Sequence, residues 1–416
     1  MTATSENQAE PVALLGPELT SDPFAGYARM REQAPMLTGT IVDGGPPLWL
    51  VTRYDDVRMV LTDPRFLNNP AAGPARNSSS IMKMLNIPSD LVEYLAEKLM
   101  QIDGADHRRQ RTMVAKVFTA RRVARLRPQI ERITGALLDG MAEAGRDGAP
   151  VDLMKAFCYP VPITVICELV GIDEADRGKW GEWGRVLSTP QEYREQVPTV
   201  LRECVDHVLE VIARRRAEPR DDLISALVQV QDEDGDRLSE REMVTLVFTL
   251  VITGYETTTY MLGNSVLALL ENPDQLALLR ADPAKWPQAV TELMRLGPAQ
   301  WGLPRYPTEE VVVGGVTIPA GSPVMPLIIA ANTDPRAYDN PDKLDVCRAA
   351  QQNHLGFGQG AHYCLGAPLA IQEAEVALEM LFTRFPDLSL AVDREQIPWV
   401  PRPGVTQVAE IPLRLA

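Results

Sequence analysis

Histidine and cysteine are scarce in these 416 residues: four of the first and five of the second. The cysteines (Cys158, Cys167, Cys204, Cys347 and Cys364) are odd in number and fall without paired or repeated spacing. Such a pattern supports neither a disulfide framework nor a zinc cluster, and it suits a reducing compartment. Positive charge is also short, with 41 Lys and Arg against 56 Asp and Glu, for a formal net charge of −15. A chain so acidic is a poor partner for nucleic acid. No apolar run approaches the roughly 18–20 residues that a membrane span requires. The longest candidate, LVFTLVITG at 246–254, is short and carries two threonines. The opening residues, MTATSENQAEPVALL, lack the charged start and apolar middle of a secretory signal. Low-complexity tracts, internal repeats and linkers are missing too. We therefore expect a cytoplasmic protein with no nucleic-acid or membrane partner.

What is present is apolar material, 45% of the chain, arranged mostly at helical spacing. Residues 1–22 read as a flexible N-terminus and 23–416 as a single domain. PFAGYARMREQAP at 23–35 reads as a helix ended by proline, and PLWLVTRYDDVRMVLTDPRF at 47–66 as strand, turn and helix. The stretch LNNPAAGPARNSSS at 67–80 reads as a loop. From 107 to about 300, apolar residues recur three or four apart. The period then changes: EEVVVGGVTIPAGSPVMPLIIAAN at 309–332 breaks short apolar runs with GG and PAG, as hairpins do. LSLAV and the final IPLRL read as strands. The expected fold class is mainly α with a small β region drawn from both ends of the chain.

Three clusters carry chemistry. The first is HLGFGQGAHYCLGAPLAIQ at 354–372, where Cys364 precedes an amphipathic helical pattern. A helix N-terminus favours a thiolate. Glycines at 356, 358 and 360 let the backbone approach a large flat group. A cysteine so placed suits a metal or haem-iron ligand better than a buried core residue. The second is the helical pair Glu292 and Arg295, three apart and able to face each other. The third is LVITGYETTTYMLG at 250–263, where glycine and threonines interrupt an apolar helix. Its bland explanation is a bent core helix whose threonines bond to their own carbonyls. Its functional explanation is an acid–alcohol pair, Glu256 and Thr257, over a reactive centre.

Phe357-Gly358-Gln359-Gly360-Ala361-His362-Tyr363-Cys364-Leu365-Gly366 resembles the haem-ligand loop of the cytochromes P-450, F-G-x-G-x-H-x-C-x-G, at every fixed position. The resemblance extends from about residue 47 to the C-terminus. It makes Cys364 the axial iron ligand and gives Phe357, Gly358 and Gly366 to the haem-binding loop. Glu292 and Arg295 then match the family's E-x-x-R brace, whose third basic partner is here Lys343 or Arg348. The segment from Thr253 is similar to A-G-x-[DE]-T-[TS], with Thr253 in place of the small first residue. DGADHRRQR is similar to D-P-P-E-H-x-R-x-R, so His107 and Arg111, with Arg305 and His362, would hold the haem propionates. The implied fold is that of the family, with haem b between two helices. The implied activity is insertion of one oxygen atom from O2 into a mostly apolar small molecule, with electrons from NAD(P)H through ferredoxin and ferredoxin reductase. Family analogy lines the substrate pocket with residues 68–100, about 180–190, Val251, Thr253, Tyr255, the stretch 299–303 with Gln300 and Trp301, and 404–406 with Val405. The motif spellings resemble actinobacterial enzymes that tailor macrolides, terpenoids or cyclic peptides by hydroxylation or epoxidation. Oxidative coupling of aromatic rings on the same haem is the alternative within the enzyme class. A haem protein that binds or senses a ligand without turnover is the alternative outside it.

One charge feature stands apart. From His107 through Arg127 there are eight Lys or Arg and no acid. In so acidic a chain this suggests docking of an acidic electron donor at Arg108, Arg109, Lys116, Arg121 and Arg122.

Overall fold

The computed structural model describes residues 11–16, 19, 22–41, 44–69, 85–96, 98–188, 192–230, 235–298, 302–349, 352–402 and 405–415. Its contacts divide the chain into two compact units, each assembled from three separate segments. The first takes residues 1–76, 292–363 and 398–408; the second takes 77–291, 364–397 and 409–416.

The first unit is built on a four-stranded sheet of Val12–Ala13, Met36–Thr40, Leu48–Val51 and Val324–Pro326, in that spatial order. The outer pairings are parallel and the central one antiparallel. Helix Tyr54–Thr62 places Val57, Val60 and Leu61 in one apolar core with Val324 and Ile328. A hairpin of Val311–Val313 and Val316–Ile318 turns at Gly314 and Gly315, whose φ values of 57° and 82° favour glycine. Within the stretch expected to be a flexible start, Val12 and Ala13 pair with Gly39 and Thr40, and Leu14 and Leu19 are buried. Residues 1–10 of that call lie outside the described residues. The run LIIAAN also reads as strand but forms the helix Ile328–Asn332. Ile328 to Ala331 are all buried, so no alternation marks a period, and the two alanines favour the helix.

The second unit is a helical body around the long helix Glu240–Glu271. Ser239 starts it: its hydroxyl accepts from the Glu242 N–H, and the Glu242 carboxylate accepts from the Ser239 N–H. Such reciprocal capping satisfies two donors that a helix start leaves open. The long helix packs against Pro160–Val170 and the π-turn Met154–Cys158. Gly263 allows that approach, since a Cβ there would meet the Met154 sulfur at 2.7 Å. Helix Ala367–Arg384 packs on Arg127–Ala144. A small sheet orders Ser389–Leu390, Pro412–Arg414 and Val151–Asp152. Among the described residues, no helix is long and apolar enough to cross a membrane.

Candidate functional site

The cysteine loop begins in the first unit. Gly358 and Gly360 hold φ values of 70° and 78°, which L side chains rarely adopt. A Cβ at Gly360 would meet the Leu61 carbonyl at 2.8 Å, and one at Gly356 the Met294 side chain at 2.9 Å. The glycines thus seat the loop on helix Tyr54–Thr62 and on Met294. Phe357 and His362 are half-buried, and the Phe357 ring meets Tyr363 edge to face at 6.4 Å. The His354 Nδ1 accepts from the Gly356 N–H at 3.1 Å.

In the second unit, Cys364 stands three residues ahead of helix Ala367–Arg384, whose N-cap is Gly366. The residue is exposed, yet enough protein surrounds the sulfur that desolvation pushes its thiol pKa up. The backbone N–H groups of Gly366 and Ala367 and the charge of Arg111 oppose that rise. The helix start thus works against the rise that burial causes. Arg111 sits one turn after the buried His107 on helix Gly104–Val117. Burial lowers the Arg111 pKa, and the Cys364 sulfur counteracts it. A Cβ at Gly366 would lie 3.8 Å from the cysteine sulfur, an ordinary contact. A soft sulfur donor, hydrogen-bonding groups turned onto it and a cation beside it fit a haem-thiolate centre. Arg305, buried in the first unit, pairs with Val324 through its backbone and donates its Nη1 to the carbonyls of Leu303 and Pro304.

The acid–alcohol segment lies within one unbroken helix. Thr253 donates to the Thr249 carbonyl at 2.7 Å, and Thr257 to the Thr253 carbonyl at 2.6 Å. The threonines thus satisfy their hydroxyls locally without ending the helix. Glu256 and Thr257 are half-buried, and the Glu256 carboxylate accepts from the Tyr260 hydroxyl at 3.0 Å. Tyr260 carried no signal of its own, because a tyrosine in an apolar helix reads as core. Val251 is fully buried and Tyr255 nearly so, with Tyr255 packed beside Gly184 and Tyr159. Both belong to the apolar core of the second unit, and Thr253 is half-buried. Gln300, Trp301 and the loop at 70–84 lie outside the described residues, and Val405 is described only through its backbone pairing with Arg402.

The E-x-x-R pair is deeply buried, and its third partner is Arg348. Arg295 bridges both oxygens of Glu292 at 2.8 Å, while the Arg348 Nε donates to Glu292 Oε1 at 3.0 Å. Lys343 contributes only its carbonyl, to both arginines. Within the basic run, Arg109 pairs with Glu242 and Asp236, and Arg122 with Asp221. Arg125 and Arg127 are paired as well, and Arg108, Lys116, Arg121 and Arg125 are exposed.

The family model for cytochrome P450 matches residues 182–282 and 286–407. The chain is 40% identical over 405 residues to the 6-deoxyerythronolide B hydroxylase of Saccharopolyspora erythraea, covering 96% of this chain and 98% of that one. It is 41% identical over 358 residues to the mycinamicin IV hydroxylase/epoxidase of Micromonospora griseorubida, covering 85% of this chain and 86% of that one. Among solved structures, the cytochrome P450 PksS of the Bacillus subtilis bacillaene polyketide synthase superimposes with a TM-score of 0.87 at 34% identity, over 97% of this chain and 99% of that one. The helical body, the cysteine loop and these likenesses agree: the chain belongs to the cytochrome P450 family and is a haem b monooxygenase that draws electrons from redox partners.

Proposed function

We propose that this monooxygenase hydroxylates or epoxidises a macrolactone or another large polyketide-derived molecule in secondary-metabolite tailoring. The observation that carries the reading is near-full-length kinship to hydroxylases named for 6-deoxyerythronolide B and mycinamicin IV. Residues 23–416 act in this reading as one haem-thiolate domain, since each compact unit draws on three separated segments. Cys364 would hold the iron, with the Gly366 and Ala367 N–H groups tempering the charge on its sulfur. His107, Arg111, Arg305 and His362 would hold the propionates, neutralising two acids that burial would otherwise penalise. Phe357, Gly358 and Gly366 would shape the loop against the ring. Bound haem supplies the activation of dioxygen, using two electrons that originate in NAD(P)H. Glu256 would carry protons inward, and Thr257 would offer a hydroxyl next to it. Val251, Thr253, Tyr255, Gln300, Trp301 and Val405 would border the substrate. A ferredoxin, reduced by its reductase, would dock on Arg108, Lys116 and Arg121, with Arg109 and Arg122 anchored beside them by their ion pairs.

The test is the spectrum of the dithionite-reduced, carbon monoxide-bound protein, followed by substrate titration. Native protein is expected to show a strongly red-shifted Soret band, and Cys364→Ala to lose it. Retention of that band in the variant would remove Cys364 as ligand. In titrations against macrolactones, terpenoids and cyclic peptides, the macrolactones are expected to give the largest spin-state change; a preference for either other class overturns the substrate assignment.

A further inference from the structure

We propose that Tyr260 is a positioning residue for proton delivery, its buried phenol holding the Glu256 carboxylate in the orientation the relay uses. This rests on the reading of Glu256 as the relay acid. The two residues are four apart on helix Glu240–Glu271, so they share a face one turn apart. The Tyr260 hydroxyl donates to Glu256 Oε1 at 3.0 Å. Only 3% of Tyr260 is exposed, whereas Glu256 is half-buried. One end of the pair is therefore fixed in the core and the other is within reach of water.

The neighbouring hydroxyls behave differently. Thr253, Thr257 and Thr259 all turn back to carbonyls one turn earlier in the same helix. Tyr260 instead spends its O–H on a carboxylate. A phenol buried in an apolar helix needs an acceptor, and a charge-assisted bond is stronger than a neutral one. A glutamate side chain has three rotatable bonds, and a relay acid loses efficiency when its carboxylate wanders from the transfer geometry. Pinning one oxygen to a rigid ring removes that freedom. No proton leaves the tyrosine in this role; the phenol remains a donor throughout.

The experiment compares Tyr260→Phe, Glu256→Gln and the double variant, each as holoenzyme. Dioxygen alone is the probe: peroxide released per NADPH consumed is measured with a ferredoxin and its reductase, without organic substrate. A crystal structure of Tyr260→Phe supplies a readout independent of turnover. We expect native haem loading and melting, a Glu256 carboxylate displaced in the crystal, and a peroxide share raised about 3- to 10-fold, with a larger solvent isotope effect. The double variant should be no worse than Glu256→Gln alone, since both changes act through one carboxylate. If Tyr260→Phe misfolds, Glu256→Asp withdraws the acid from the phenol while keeping its charge and should reproduce the peroxide increase. Wild-type peroxide from Tyr260→Phe, or from Glu256→Asp, overturns the inference while leaving Glu256 as relay, provided Glu256→Gln raises peroxide. Additive effects in the double variant also overturn it. Wild-type behaviour of Glu256→Gln sinks the relay reading itself, and the role of Tyr260 with it.

Discussion

At the residue scale, the Glu292–Arg295–Arg348 cluster shows what a buried charge demands. Glu292 and Arg295 are 4% and 2% exposed, and Glu292 accepts from two arginines and from the Asp345 N–H. The remaining Arg295 donors reach the carbonyls of Asn332, Pro341 and Lys343. Removing one member leaves the others charged and unsatisfied, so Glu292→Gln should cost about 3–5 kcal/mol in denaturant unfolding. A loss below about 1 kcal/mol would show that water replaces the carboxylate. The E-x-x-R spacing was legible because it is local. The choice of Arg348 over Lys343 was not, since it depends on a guanidinium reaching across 56 positions. His354 offers a second test. Burial, and then the charge of Arg295, lower its pKa from 6.5 to about 4. The folded protein thus binds its proton later than the unfolded chain does, so stability is intact above pH 6.5 and falls as pH drops towards 4. His354→Gln should flatten the melting temperature over that window; an unchanged acid slope would exclude this histidine as the cause.

At the element scale, long helices were legible and short pieces were not. The helix Glu240–Glu271 carries its own start signal, Ser239 followed by Glu242, and holds its period for 32 residues. Ser239→Ala should therefore lower stability by about 1 kcal/mol, seen as a lower melting temperature with unchanged haem loading. Full stability would mean that tertiary packing alone sets the helix start. The two-residue strands Val12–Ala13 and Val151–Asp152 exist only through partners elsewhere in the chain, so no local pattern announces them. The threonine cluster was legible as an anomaly. Its hydroxyls do bond backward, and its acid still finds a partner at Tyr260.

At the scale of the whole molecule, charge organises how a partner can approach. The cysteine motif could be seen in the sequence because its glycines and its cysteine fall within one short stretch. Which members of the basic run remain outward could not, because that depends on where the acids of distant segments fall. Glu242 and Asp236 take Arg109, Asp221 takes Arg122 and Arg125, and Glu375 takes Arg127. Paired arginines project little net field, so in the docking proposed above the exposed Arg108 and Arg121 would carry most of the attraction for an acidic donor. The rest of a chain with net charge −15 repels that donor. Replacing Arg108 and Arg121 by glutamate should then slow reduction by ferredoxin on the order of tenfold at low salt. Screening acts over about 10 Å at 0.1 M salt, so the gap between variant and native protein should narrow as salt rises. Peroxide-driven oxidation bypasses the donor and should be untouched, which separates a docking defect from a damaged haem site. Stopped-flow reduction rates across a salt series decide the matter: equal rates for native and variant protein at low salt would move the docking surface elsewhere.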